Sequence, residues 1–335
     1  MSRLLRSAAI AALTMAACAV AGAAGAQTYN RLVVFGDSLS DNGNLFAATA
    51  GTQPPAAVYW QGRFSNGPVF TELLGFNAGR IAAGAPVTGS INLAFGGART
   101  DASAMPPGML TQLGMYQMSG GTFGANDLVS VLGGANNIFQ GLEAFGALPP
   151  GNPALANPTA YMAPIALAAA ADVNTLVGAI ATGGAGTILV TNLPKLSLTP
   201  AFRTSPAGPL ADYAVGQFNG ALSTGAFAPA AARPGTNIIL MDLFKVGDTI
   251  ANNPGAFGIS NVTQPCFNGV TVCANPNDYF YFDGVHPTAA GHAVIARLAN
   301  DYLYYGDLGA GTALQAETAA RHREDGLDAA SEALS

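Results

Sequence analysis

The sequence contains few residues of the types that bind metals or carry charge. Its 335 residues include only three cysteines, three histidines and one tryptophan, and Asp, Glu, Lys and Arg together make up 10% of the chain. So few Cys and His ligands argue against a zinc site, and we expect neither a metal nor an organic cofactor. The formal net charge is −6. Because nucleic-acid binding requires a surplus of Lys and Arg, a nucleic acid is not an expected partner.

The apolar stretch at the N-terminus is too short for a membrane span. Two arginines precede an apolar run over residues 8–20, which lacks the ~20 residues of a transmembrane helix. A small-residue cleavage site follows and ends at Ala26. We therefore expect residues 1–26 to be a signal peptide, cleaved after Ala26, and the mature protein to be secreted or periplasmic without a transmembrane span. A lipoprotein with its lipid on Cys18 is the alternative.

Two cysteines remain after the predicted cleavage. Cys266 and Cys273 enclose a short loop with Asn-Gly at its centre, and in an exported protein such a pair predicts a disulfide. The length suits one elaborated α/β domain, which we place at residues 27–307. Residues 308–335 are Ala-rich, with charged residues concentrated towards the end, and this composition predicts a flexible C-terminal tail.

Short apolar runs alternate with helical patterns along the chain. The runs predict buried strands at residues 31–36, 91–95, 127–132, 187–191 and 237–241. The helical patterns predict helices at residues 109–118, 160–180, 210–222 and 288–302. Strands that alternate with helices predict a three-layer α/β/α fold with a five-stranded parallel sheet. In such sheets, ligands bind beyond the carboxyl ends of the strands.

The first predicted strand runs directly into the polar sequence FGDSLSDNGN. Ser38 lies just after this strand, where a nucleophile would be presented. A serine hydroxyl becomes reactive only beside a base, and the base needs a group that orients it. Since His322 lies in the predicted tail and His292 inside the last predicted helix, His286 is the candidate base. Asp283 precedes it by three residues, so one loop can hold carboxylate and imidazole together.

Simpler interpretations exist for the same segments. The residues around Ser38 could cap a helix, and those around His286 could form an ordinary pre-proline loop. The acidic run at 37–44 does not match the calcium-binding EF-hand, because Leu39 occupies the third position. Ser40 replaces the second glycine of the G-x-S-x-G elbow, which argues against the α/β-hydrolase fold.

Four blocks, in this order, resemble those of the GDSL or SGNH esterases and lipases. The blocks are FGDSLSDNGN, NLAFGGA, GGANN and DGVHPT, accompanied by the weaker matches GRFSNGP, TNLPKLSLTP and NPGAFGISNVTQPC. The resemblance covers residues 30–303 and is greatest to secreted bacterial esterases related to phospholipases (lecithinases) and to the passenger domains of esterase autotransporters. It implies a flavodoxin-like fold with five parallel strands.

The resemblance also implies roles for individual residues. Ser38 would be the nucleophile, His286 the base and then the acid, and Asp283 the partner of His286. The backbone N–H groups of Ser38 and Gly97 and the side-chain amide of Asn136 would form the oxyanion hole. Such donors stabilise the negative charge that develops on the tetrahedral intermediate of acyl transfer.

Two residues depart from the family pattern. Asn137 stands where the family usually has Asp, and Lys195 stands where an acid is common. The first departure affects the residues that support Asn136, and the second affects the loop after the predicted strand at 187–191. A second Gly-Ala-Asn triplet ends at Asn126, at the start of the predicted strand 127–132. We expect Asn126 to serve a turn, at the end of the strand opposite to Asn136.

These residues together predict an exported serine esterase or lipase that acts on small-molecule or lipid carboxylic esters through an acyl-enzyme. Transfer of the acyl group to an acceptor other than water uses the same intermediate and is the nearest alternative. A non-catalytic surface-binding protein on this scaffold is the alternative from another class. Glycosidase chemistry would need two facing carboxylates, and the sequence marks no such pair. Acyl length, head group and oligomeric state stay open.

Overall fold

The structure is a computed structural model that describes residues 28–82, 85–229, 233 and 235–305. These residues cover most of the predicted domain at 27–307. The predicted signal peptide (1–26) and the predicted tail (308–335) lie outside the described residues.

Six parallel strands form the central sheet. In chain order they are β1 (Arg31–Gly36), β2 (Gly79–Arg80), β3 (Ile91–Asn92), β4 (Asp127–Leu132), β5 (Thr187–Thr191) and β6 (Asn237–Met241). Their order across the sheet is β2-β3-β1-β4-β5-β6. The α/β/α prediction is confirmed, but the predicted number of five strands is one too few. The additional strand, β2, consists of two exposed residues at the sheet edge, too short to leave an apolar run in the sequence.

The strand predicted at residues 91–95 is shorter than expected. Regular pairing of β3 with β1 ends at Asn92, yet hydrogen bonds between the two segments continue beyond it. The Leu93 N–H donates to the Val34 carbonyl at 2.8 Å, and the Phe95 N–H donates to the Gly36 carbonyl at 3.2 Å. The chain therefore stays beside β1 up to the segment that contains Gly97.

The helices cover both faces of the sheet. They are α1 (Asn44–Ala48), α2 (Met109–Met118), α3 (Ala135–Gly146), α4 (Pro158–Thr182), α5 (Pro200–Arg203), α6 (Gly208–Ala226), α7 (Leu243–Asn252) and α8 (Ala289–Tyr305). The helix predicted at 109–118 matches α2, and those at 160–180 and 210–222 lie within α4 and α6. The last helix begins at Ala289 rather than Thr288, because the Thr288 hydroxyl accepts a hydrogen bond from the Gly291 N–H at 3.0 Å and caps it.

Helix α4 is the longest helix in the described part of the chain, and its length and composition alone would suit a membrane span. One face of this helix is buried, with Val173, Leu176, Val177 and Ile180 in the hydrophobic core. It also contacts α6 along its length. These contacts are those of a core helix in an α/β domain, because burial of one apolar stripe is what attaches such a helix to its neighbours.

A second, two-stranded sheet lies near the C-terminal end of the domain. It pairs β7 (Asn261–Pro265) with β8 (Tyr279–Tyr281). Cys266 and Cys273, in the connection between these strands, form a disulfide. The loop is attached to the chain that follows β8, because the Phe267 N–H donates to the Phe282 carbonyl at 2.6 Å.

The order of the strands places a crevice at the end of β1. After β1 the chain forms β2 and β3 on one side of it and then crosses to β4 on the other side. In open parallel sheets, ligands bind at the carboxyl ends of strands where the connections diverge in this way. Ser38, Gly97 and Asn136 follow β1, β3 and β4, so all three lie at this end of the sheet.

Candidate active site

The loop after β1 meets the loop after β8 at this crevice. The Ser38 Oγ lies 2.8 Å from His286 Nε2, and His286 Nδ1 lies 2.7 Å from Asp283 Oδ2. Ser38 is 8% exposed, so its hydroxyl is accessible only from the crevice. The three side chains form one hydrogen-bonded series across 248 positions of sequence. In this arrangement an imidazole can accept the hydroxyl proton while the carboxylate orients the ring.

A short turn brings Asp283 and His286 together. Asp283 Oδ1 accepts hydrogen bonds from the backbone N–H groups of Val285 at 2.9 Å and His286 at 2.8 Å, which leaves Oδ2 for the imidazole. The GRFSNGP segment supports the turn from outside, since the Ser65 hydroxyl donates to the Pro287 carbonyl at 2.9 Å. The backbone is therefore held on both sides of His286.

Tyr59 is a partner of Asp283 that the sequence did not reveal. Its hydroxyl donates to Asp283 Oδ2 at 2.7 Å, the same oxygen that contacts His286. Burial acts to raise the pKa of Asp283, but the His286 imidazole and the backbone donors outweigh it and lower the pKa to about 2. Burial, reinforced by the Asp283 charge, raises the pKa of Tyr59. Tyr59 therefore stays a neutral donor to an ionised carboxylate.

His292 lies in the core, apart from the Ser38 hydroxyl. Its side chain is fully buried in α8, and its Nδ1 accepts a hydrogen bond from the Phe70 N–H at 3.3 Å. Burial lowers the pKa of His292 to about 3, with a smaller contribution from the nearby His286. A neutral, buried imidazole of this kind fixes the contact between α8 and the segment at Phe70.

Three groups near Ser38 can donate hydrogen bonds to an oxyanion. Among the described residues, the backbone N–H groups of Ser38 and Gly97 have no protein acceptor. Gly97 has φ +75°, which is left-handed backbone that other residues adopt only with strain. Asn136 Nδ2 donates one hydrogen to the Ala98 carbonyl at 2.9 Å. The amide carries a second hydrogen, and Asn136 lines the same cavity as Ser38 and Gly97.

Asp41 joins the first two sequence blocks. Its carboxylate accepts hydrogen bonds from four backbone N–H groups, those of Gly43, Asn44, Leu45 and Gly96 at 2.6–3.2 Å. The Gly96 contact, at 2.7 Å, fixes the residue next to Gly97. The acidic run at 37–44 thus uses carboxylate oxygens to hold the loop that carries the nucleophile, a role that its sequence alone did not indicate.

The two departures from the family pattern both have partners in the structure. Asn137 Oδ1 accepts a hydrogen bond from the Thr100 N–H at 3.0 Å, so an amide oxygen supplies the acceptor where the family usually has a carboxylate. Lys195 Nζ lies 2.5 Å from Asp248 Oδ2 and 5.0 Å from the centre of the Phe244 ring. Position 195 thus has a lysine instead of an acid, and this lysine is paired with an acid on α7.

The two Gly-Ala-Asn triplets lie at opposite ends of β4. Asn126 is exposed in a turn before Asp127, and its carbonyl accepts a hydrogen bond from the Asn30 N–H at 2.8 Å. Asn136 lies in the first turn of α3, beyond Leu132 at the other end. The structure therefore brings only Asn136 to the same crevice as Ser38.

Ser38 faces a cavity of about 300 Å³. The polar groups of its catalytic end are those of Asp37, Ser38, Gly97, Asn136 and His286. Helix α7 forms part of the remaining lining through Leu243, Val246, Gly247 and Ile250, which we call the α7 wall. Within the part of the chain that the structure describes, no three His, Cys, Asp or Glu side chains converge as metal ligands.

The comparisons with known proteins agree with this architecture. The model of the GDSL-like lipase/acylhydrolase family matches residues 32–299, so the chain belongs to that family. A phosphatidylcholine-sterol acyltransferase of Aeromonas hydrophila is 27% identical over 77% of this chain and 71% of its own length. A thermolabile hemolysin of Vibrio parahaemolyticus is 25% identical over 80% of this chain and 62% of its own length. The esterase EstA of Pseudomonas aeruginosa is 30% identical over 35% of this chain and 19% of its own length.

Proposed function

We propose that this chain is an exported serine esterase or lipase, secreted or periplasmic, that hydrolyses carboxylic esters through an acyl-enzyme. The observation that carries the proposal is the series Ser38 Oγ, His286 and Asp283, joined at 2.8 and 2.7 Å at one end of a largely apolar cavity. Family membership supports the same class of chemistry. The N-terminal residues 1–26, as read from the sequence, support export.

In the first step, Ser38 Oγ attacks the carbonyl carbon of the ester. His286 Nε2 takes the hydroxyl proton, and the ionised Asp283 stabilises the imidazolium that results. The carbonyl oxygen becomes an oxyanion, for which the N–H groups of Ser38 and Gly97 and the Asn136 amide are the available donors. His286 then returns the proton to the alcohol oxygen, the C–O bond breaks, and the acyl group stays on Ser38.

In the second step, an acceptor attacks the acyl-enzyme by the reverse route. Water yields the free acid, whereas an alcohol yields a new ester, and His286 serves as the base for either one. The similarity to a protein named as an acyltransferase favours transfer as a second candidate activity. Product analysis with and without an added long-chain alcohol separates the two outcomes.

The experiment that tests the proposal uses the mature protein and its Ser38→Ala variant. We expect the parent to hydrolyse p-nitrophenyl esters and to be labelled at Ser38 by a fluorophosphonate, with peptide mass spectrometry locating the label. Ser38→Ala should unfold at the parent temperature and lose hydrolysis and labelling. Full turnover by the pure variant, or a label on another serine, would exclude Ser38 as the nucleophile.

The predicted export is tested separately. N-terminal sequencing of exported protein should give Gln27 as the first residue. An uncleaved N-terminus or a lipid on Cys18 would contradict the predicted signal-peptide cleavage.

A further inference from the structure

The cavity at Ser38 is distinguished by its largely apolar lining. Protein interiors are close-packed, and voids larger than a water molecule are few because unfilled space loses packing contacts. A cavity of about 300 Å³ is at the lower end of the size range of ligand pockets. Pockets with a largely apolar lining bind mainly the apolar parts of their ligands. The lining therefore indicates what part of an ester enters it.

The polar atoms of the lining are concentrated at the catalytic end. Asp37, Ser38, Asn136 and His286 all belong to that end. Elsewhere on the lining, the polar side chains of the described residues are Thr199 and Tyr281. The Thr199 hydroxyl is already used, because it donates to the Leu196 carbonyl at 2.7 Å. A sugar ring would find too few partners here, whereas a hydrocarbon chain needs none.

The α7 wall is a fixed surface. Asp242 caps the helix, since its Oδ1 accepts a hydrogen bond from the Lys245 N–H at 3.2 Å. Asn192 then ties this cap to the end of β5: its Nδ2 donates to Asp242 Oδ1 at 2.8 Å, and its Oδ1 accepts from the Phe244 N–H at 3.2 Å. The side chains on the cavity face of α7 are thereby held in place without any polar group reaching the cavity.

Gly247 is the one residue of the α7 wall that has no side chain. A Cβ at this position would lie 3.4 Å from Leu198 Cδ1 and 3.7 Å from Pro194 Cβ, both on the cavity lining. These are ordinary contact distances, so alanine fits, and its methyl group would lie against two residues of the cavity lining. Glycine inside a helix lowers helix stability relative to alanine. The helix itself therefore gives no reason for glycine at position 247.

We propose that this cavity binds the acyl chain of the substrate and that Gly247 determines the longest chain accepted. The inference rests on the proposed function, because it places the ester carbonyl at Ser38. The acyl chain lies against the α7 wall, and the alcohol part of the ester stays outside the cavity. Gly247 is a specificity-determining residue with no part in the chemistry.

The first measurement is the chain-length dependence of the parent enzyme. In a series of p-nitrophenyl esters from acetyl to palmitoyl, kcat/KM should rise about fourfold for each methylene, which corresponds to ~0.8 kcal/mol per buried CH₂. The rise should stop abruptly at the chain length that fills the cavity. Equal rates for all members of the series would overturn the inference.

The second measurement compares variants by a ratio that does not depend on the folded fraction. Gly247→Leu should move the maximum to shorter chains and lower the ratio of kcat/KM for a long ester over the acetyl ester by about tenfold or more, the loss of two or more buried methylenes. Gly247→Ala should shift the ratio in the same direction by less. Gly114→Leu is the matched control: Gly114 is also inside a helix, α2, but open space surrounds it and it does not line the cavity.

The outcomes separate failure of this inference from failure of the proposed function. If no ester in the series is hydrolysed and Ser38 takes no label, the proposed function is wrong. If the acetyl ester is hydrolysed but the Gly247 variants keep the chain-length profile of the parent, the role of Gly247 is wrong while the proposed function stands. A shifted profile in Gly114→Leu would also overturn the role of Gly247, since a helix effect alone would then suffice. If Gly247→Leu fails to fold, the same ratio measured on Gly247→Ala tests the role of Gly247.

Discussion

The two sides of the cavity are built by different interactions. At the catalytic end, the triad side chains and the Asn136 amide each have at least one fixed hydrogen-bond partner, for example Asp283 with Tyr59 and Asn136 with Ala98. The α7 wall is formed by apolar contacts alone, and its hydrogen bonds lie outside the cavity, at Asp242. Hydrogen bonds specify the position of single atoms, whereas apolar packing specifies only shape and volume. Changes at the catalytic end should therefore affect the rate of the chemistry, and changes in the wall should affect which ester is accepted.

After Ser38→Ala, the largest effect at the catalytic end should come from Asp283→Asn. Oδ2 of Asp283 accepts from both Tyr59 and His286, so an NH₂ group in its place would face two donors. The same replacement in serine hydrolases with this triad lowers kcat by about 10⁴. Steady-state kinetics on the purified variant test this expectation. A loss of less than about tenfold would show that Asp283 does not orient the base.

Asp283→Asn should also change the pH dependence of stability. Since the folded-state pKa of Asp283 is lowered to about 2, its contribution to stability is present above the ordinary Asp value of ~3.9 and is lost as the pH falls towards 2. Parent and variant should therefore differ by on the order of 2 kcal/mol in the free energy of unfolding at pH 5 and converge near pH 2. Denaturant unfolding at a series of pH values measures this difference; parallel curves would contradict it.

The next largest effect should be at Asn136. Asn136→Ala should lower kcat by ~10²–10³ with little change in KM, because the charge it would stabilise exists mainly in the transition state. Asn126→Ala is the matched control, since that asparagine lies in the exposed turn at the other end of β4. It should lower stability by at most about 1–2 kcal/mol and leave kcat within a few-fold. A large kcat defect in Asn126→Ala alone would reverse the assignment.

The same contrast explains which features could be predicted from sequence. The catalytic end is made of short contiguous motifs at the ends of strands, so the sequence alone was enough to place Ser38, Asn136 and His286 there. Strands β1 and β4 were predicted with their observed limits, since five buried positions in a row in β1 and six in β4 leave largely apolar runs. The edge strand β2 has no such run, because both of its residues are exposed.

The features that were not predicted depend on contacts between distant segments. Tyr59 is one of ten tyrosines, in a Pro/Gly-rich loop 224 positions before Asp283, and no local pattern connects the two residues. The α7 wall consists of ordinary apolar residues with no motif. Helix α7 has a regular apolar spacing at Leu243, Val246 and Ile250 that could have identified the helix. Its position beside the cavity follows only from the order of the strands.

A smaller effect should distinguish Tyr59 from the wall residues. Tyr59→Phe keeps the ring, whose centre lies 5.3 Å from that of Phe282, and removes only the hydroxyl that shares Asp283 Oδ2 with His286. The carboxylate charge then acts more strongly on the imidazole and favours its protonated form. We expect the acid limb of the kcat/KM profile to move to higher pH by up to about one unit.

The control for Tyr59→Phe is Tyr213→Phe, because Tyr213 is an exposed residue of α6. Its pH profile should coincide with that of the parent. The rate of Tyr59→Phe on the plateau should stay within about tenfold, since the triad itself is intact. An acid limb that stays in place, or that moves to lower pH, would mean that Tyr59 only fills space.

The smallest effect on turnover should come from the disulfide. Replacing Cys266 and Cys273 by serine opens a loop of sequence separation 7, and should lower the free energy of unfolding by at most ~2–3 kcal/mol. Turnover of the folded fraction should change little, because Phe267 still donates to the Phe282 carbonyl and packs on its ring without the bond. Thermal unfolding with parallel kinetics tests both parts, and the reduced parent is the control. Two free thiols in exported parent protein would refute the disulfide, and a kcat that falls when the bond is removed would show that hydrogen bonds alone do not hold the catalytic end.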